Sequence, residues 1–306
     1  MPATAGGTQY LDPAALARVK SLHLAARLVV EGLFAGQHRS PRRGYSVEFA
    51  EHRQYTPGID PRHIDWKVLA KRDRLYVKQY EEQVNLRGTI VVDASKSMAY
   101  QHGGPMSKLE YAKYLAASLS YLMLSQHDAF GLVVCNEKVT ARIPPRQGRS
   151  HLATVLDQLE HIEADGETDL PGVLDDLART TKRRGLIVLL SDMFAGHGRS
   201  PEPLLDAMGH LRARKNEVVA LQLLDPAELT FPFTDVGQIE NIESAHTVAA
   251  DAEAIRTHYL DQLNAYLESL RRGCGTRRIG YALADTQERF DLFLGTYLTR
   301  RMAMGT

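Results

Sequence analysis

The chain has 306 residues, enough for one large domain or one domain with a smaller appendage. Hydrophobic residues at 44% and charged residues at 24% allow a sizeable core and exclude wholesale disorder. Lys plus Arg (37) balances Asp plus Glu (37), so overall charge points to neither nucleic acid nor membrane. The two cysteines, Cys135 and Cys274, are far apart and exclude a disulfide framework or a cysteine-based metal site. No apolar run approaches the length of a membrane span, and Met1–Gln9 has no signal-peptide pattern, so a cytoplasmic location is expected.

Asp12-Pro13 reads as a helix start, and Leu16, Val19, Leu22, Ala26 and Val29 recur at helical spacing. The helix should run to about Val30, with Gly32 and Gly36 ending it. From Gln37 to Asn85 the chain is rich in Arg, Lys and Tyr and holds Trp66, with short alternating segments at Tyr45–Phe49 and Arg74–Tyr80. Gly36–Tyr80 contains ten Lys/Arg and five Asp/Glu, a net +5. This stretch reads as a small α+β appendage, giving residues 1–86 as helix plus appendage and 87–306 as the main domain.

From Arg87 onward, strands alternate with helices. Apolar strands are expected at Thr89–Val92, Phe130–Cys135, Gly185–Leu190, Val218–Leu224 and Ile279–Ala284. Helices are expected at Ser107–Gln126, Ser150–Ile162, Leu170–Thr181, Pro201–Arg214, Asp251–Arg272 and Arg289–Met302. Leu109, Ala112, Ala116, Leu119 and Met123 mark one face of the first. Lys138–Ile143, after Asn136-Glu137, reads as an antiparallel hairpin partner at the sheet edge. The order predicts an α/β fold: a doubly wound, mostly parallel sheet with one antiparallel edge strand. Ligands in such sheets sit beyond the carboxyl ends of the strands.

Three such ends carry oxygen ligands together: Asp93-Ala94-Ser95-Lys96-Ser97, Gly166-Glu167-Thr168-Asp169, and Ser191-Asp192. Hydroxyls with one or two carboxylates suit a hard cation such as Mg²⁺, which takes about six oxygens, and leave positions open. An extended loop would turn Ser95 and Ser97 the same way beside Asp93, with Thr168 from the second loop. Asp192 would bind through water or hold the hydroxyls in place. The alternative is that Asp93 and the serines only cap the next turn.

The pattern D-x-S-x-S with a later Thr and Asp resembles the metal-ion-dependent adhesion site of von Willebrand factor type A domains, from about Arg87 to the C-terminus. That resemblance implies Mg²⁺, Mn²⁺ or Ca²⁺ on Asp93, Ser95, Ser97, Thr168 and Asp192, and a partner protein that supplies an Asp or Glu. Gly36–Gly44, Glu48–Tyr55, Pro57–Lys67, Leu224–Leu229 and Phe231-Pro232-Phe233 are similar to the bacterial domain of unknown function 58 family. This second resemblance implies a chaperone-like adaptor beside a MoxR-type AAA+ ATPase. Many relatives carry N-terminal membrane helices, a pattern absent from this sequence.

Two rival functions stand beside that of a protein-binding module. A metal-dependent hydrolase would need a base, for which Asp169 and Glu167 are the nearby residues. A nucleic-acid binder would use Arg39, Arg42, Arg43, Arg53, Arg62, Lys67, Lys71 and Arg72, but interleaved Glu48, Glu51, Asp60, Asp65 and Asp73 suit internal ion pairs. A dehalogenase-type phosphotransferase needs a second Asp where Ser95 stands. The P-loop and G-x-S-x-G patterns are absent.

Overall fold

The structure, a computed structural model, describes residues 22–37, 52–54, 76–78, 86–181, 184–194, 200–233, 236–240 and 247–303. The expected helix start at Asp12-Pro13, the segment Tyr45–Phe49, Trp66 and the side chains of the basic run lie outside the described residues. The chain divides into two compact units, 37–85 and 1–36 with 86–306. In the smaller unit, β1 (His52–Gln54) pairs antiparallel with β2 (Tyr76–Lys78).

The larger unit begins with α1 (Leu22–Gln37). Two expectations change here. The helix runs through Gly32 and Gly36 instead of stopping, because buried Leu22, Ala26, Val29 and Val30 supply packing that outweighs the glycine cost of about 1 kcal/mol each. That packing is against the main core, so the helix groups with residues 86–306 and not with the appendage.

The main sheet has six strands in the order β10-β7-β6-β3-β4-β5. These are β3 (Arg87–Asp93), β4 (Ala129–Cys135), β5 (Val139–Arg146), β6 (Leu186–Ser191), β7 (Glu217–Leu224) and β10 (Gly280–Asp285). All neighbours are parallel except β4 and β5. The expected antiparallel edge strand is therefore β5, joined through a three-residue loop because Cys135 pairs with Val139. Side-chain alternation divides the core: Ile90 and Val92 face one layer, Val91 the other.

The first layer packs α1, α2 (Lys108–Ser125), α3 (Arg149–Glu160) and α8 (Phe290–Ala303). The second packs α4 (Leu170–Thr180), α5 (Glu202–Ala213) and α7 (Ala252–Thr276). α2 is buried well beyond its one expected face, with Tyr111, Leu115 and Ala117 also enclosed. It is covered by α3 and α8 as well as the sheet. The features that escaped the sequence reading include β1, α6 (Pro226–Thr230), and the hairpin of β8 (Val236–Glu240) with β9 (Thr247–Asp251).

Chain order explains where a site can form. β3 is followed by β4 on one side, then β6 adds to its other side. The connections leave β3 and β6 in opposite directions, and ligands in such sheets bind beyond the strand ends at a reversal of this kind. Asp93 ends β3, and Asp192 follows β6.

Candidate functional site

The loop after β3 closes on itself first. Asp93 is fully buried, and its Oδ1 accepts the Ser95 N–H at 2.9 Å. A 3-10 turn over Lys96–Ala99 then brings the Ser97 hydroxyl to 3.3 Å from that of Ser95. The two hydroxyls converge through this turn, not through the extended loop expected from their spacing. Ser97 donates to Asp192 Oδ2 at 2.7 Å. Asp93, Ser95, Ser97 and Asp192 thus form one connected group.

The loop carrying Thr168 is tied to the first by backbone bonds: Lys96 N–H donates to Gly166 O at 2.9 Å, and Asp165 N–H to Ala94 O at 2.8 Å. Gly166 has φ +74, a left-handed turn that glycine adopts without strain. From its other side the loop is held by Asn136, whose Nδ2 donates to Asp165 O at 3.0 Å and whose carbonyl accepts the Asp169 N–H at 3.1 Å. Thr168 is buried against this frame, and its hydroxyl has no hydrogen-bond partner. Leaving a buried hydroxyl unpaired costs about 1–3 kcal/mol. The fifth expected residue is therefore on the apposed loop, but it makes no bond to the other four.

Two neighbours, Lys108 and Glu228, were not expected; Ser191, which the sequence already places with Asp192 at its strand end, takes a part of its own. Ser191 donates to Asp93 Oδ2 at 2.7 Å and accepts the Met193 N–H at 2.8 Å, so it pins both strand ends. Met193 has φ +59, a strained position for a side-chain-bearing residue, and its carbonyl is held by the Tyr266 hydroxyl at 2.6 Å. Lys108 is 1% exposed, and its Nζ lies 2.8 Å from Asp192 Oδ2 and 2.7 Å from Glu228 Oε1. Glu228 in turn accepts the Asp225 N–H at 2.8 Å in a capping box.

Two of these left a signal in the sequence. Asp225-Pro226-Ala227-Glu228 is a capping-box spacing. Lys108 is the first residue of α2, where the helix dipole disfavours a cation, so a lysine buried there calls for a carboxylate partner.

Electrostatics follow from this packing. Burial pushes the Asp93 carboxyl up to about 6, and the nearby Asp192 charge adds to it, against hydrogen bonds from Ser191 and Ser95. Burial alone would lower Lys108, but Asp192 and Glu228 more than reverse this and hold the ammonium protonated. Burial raises Glu228, with Lys108 acting against it.

A hard cation suits this donor set. Three hydroxyls and a carboxylate lie on two loops joined by backbone bonds, where Asp93 is charged at a cost and Thr168 lacks a partner. Asp192 Oδ2 is already engaged by Ser97 and Lys108, so it fits a supporting position better than a direct ligand. Among the described residues, no three His, Cys, Asp or Glu side chains cluster as a metal site. Of the hydrolase candidates, Asp169 caps α4 by accepting the Gly172 N–H at 3.0 Å, and Glu167 is exposed.

Residues 51–267 match the family described as "Protein of unknown function DUF58". The chain belongs to this family. Among DUF58 relatives, an uncharacterized protein of Mycobacterium tuberculosis is 31% identical over 231 residues, 74% of this chain and 70% of the relative. This DUF58 chain also resembles two solved structures. The conserved hypothetical protein BatB from Bacteroides thetaiotaomicron has TM-score 0.46 and 16% identity, covering 72% of this chain and all of that one. An aerotolerance-related membrane protein from Bacteroides fragilis has TM-score 0.46 and 17% identity, covering 71% and 100%. No helix among the described residues is long and apolar enough to cross a membrane.

Proposed function

We propose that this DUF58 protein is a binding module of the von Willebrand factor type A kind, in which Asp93, Ser95, Ser97 and Thr168 hold one divalent cation and capture a partner's carboxylate. Asp192 orients Ser97 from behind. The observation that carries the reading is the Thr168 hydroxyl, buried without a partner on a loop bonded to the Asp93–Ser97 loop. A bound divalent ion supplies a directional positive charge with an open position, which a surface ion pair cannot match. The protein's own part is to hold four donors in place: Ser191 and the Ser95 N–H fix Asp93, and Asp192 fixes Ser97.

The hydrolase reading loses support, because Asp169 is committed to a helix cap. A MoxR-type AAA+ ATPase, implied by the family resemblance, is the first partner to test. Calorimetric titration with Mg²⁺ should show binding to the full chain and none to Asp93→Ala, whose circular dichroism should match the parent. Capture of the ATPase should fall together with cation binding. Undiminished capture in EDTA would refute the reading.

A further inference from the structure

A lysine buried beside a would-be cation site is unexpected, because its charge opposes the ion. Lys108 is enclosed, and its ammonium is shared between Asp192 and Glu228, with the Tyr100 and Phe194 rings 5.8 and 5.9 Å away. Asp225, held ionised by the N–H groups of His102, Gly103, Gly104 and Ala227, is not among the charges acting on Lys108 or Asp93.

Asp93, Asp192 and Glu228 bring three negative charges, and Lys108 one positive. A divalent ion brings this cluster to neutrality. Without Lys108 the loaded cluster stays net negative, and burial leaves that charge poorly screened. An incoming carboxylate then approaches a repelling site.

Resting on the binding-module reading, we propose that Lys108 is the residue that tunes the site for an external carboxylate: its ammonium weakens the hold on the cation and leaves the loaded site neutral toward a partner's Asp or Glu. A purely structural lysine has no such two-way effect. Its removal loosens the site and weakens both kinds of binding.

The test uses the full chain with Mn²⁺, read by electron paramagnetic resonance, and acetate as the carboxylate probe. Lys108→Met should bind Mn²⁺ tighter by about ten-fold or more. It should also lose the gain in Mn²⁺ affinity that acetate gives the parent. Glu228→Gln removes one negative charge and keeps the side-chain shape. It should do the reverse, with weaker Mn²⁺ binding and a larger acetate effect, and it decides the matter if Lys108→Met does not fold. Mn²⁺ affinity equal to or below the parent's in folded Lys108→Met, or tighter binding in Glu228→Gln, overturns the role of Lys108 and leaves the cation site standing. Absence of Mn²⁺ binding in the parent and both variants, with acetate present, overturns both.

Discussion

Replacing Asp93 by Asn in chelator should make the protein more stable at neutral pH. The carboxyl is buried beside Asp192, and its folded-state pKa is about 6 against an ordinary value of 3.8. A rise of that size corresponds to about 3 kcal/mol of folding free energy lost once the group is fully charged. The sign follows from proton binding. Between 3.8 and about 6 the folded chain holds a proton that the unfolded chain has released. Asp93 therefore imposes no penalty at pH below 3.8, and stability falls as pH rises through 6.

Asn is neutral like the protonated carboxyl. Its Oδ1 still accepts from Ser95 N–H, and its Nδ2 can donate to Ser191 Oγ. Urea denaturation in EDTA at pH 8 should show Asp93→Asn more stable by about 2–3 kcal/mol, the gap closing toward pH 4. Adding Mg²⁺ at pH 8 should stabilise the parent and not the variant, since ligand binding to the folded state alone raises stability. A variant no more stable than the parent at pH 8, or a gap independent of pH, would refute the charge-burial argument.

Thr168→Val keeps the shape and removes the unpaired hydroxyl. In EDTA it should melt at the same or a higher temperature, with a gain of about 1 kcal/mol, while Mg²⁺ affinity by calorimetry falls about ten-fold. Gly131 sits on β4, where a methyl group would press on the Ile143 carbonyl and lie 2.7 Å from Pro145 N, both backbone atoms of β5. Gly131→Ala should therefore cost about 2 kcal/mol or more, read from the urea midpoint; an unchanged midpoint would mean that the edge strand yields freely.

Much of the frame is legible in the chain because its signals are local. Apolar β-branched runs give β3, β4 and β6, and helical periodicity gives α2 to within a residue at each end. Asp93, Ser95 and Ser97 lie within five residues, so one loop can hold them together. Short elements such as α6 and the β8–β9 hairpin leave too few periods to stand out.

What tertiary structure decides is which distant groups share an environment. Lys108 stands 84 residues before Asp192 and 120 before Glu228, yet one buried ammonium joins them. Spacing along the chain cannot encode that meeting. It arises where α2, the end of β6 and α6 come together at the carboxyl ends of the strands. Sequence alone supplied the candidate oxygen donors. Folding added the counter-charge, because a buried ion pair forms only after distant segments have excluded water around it.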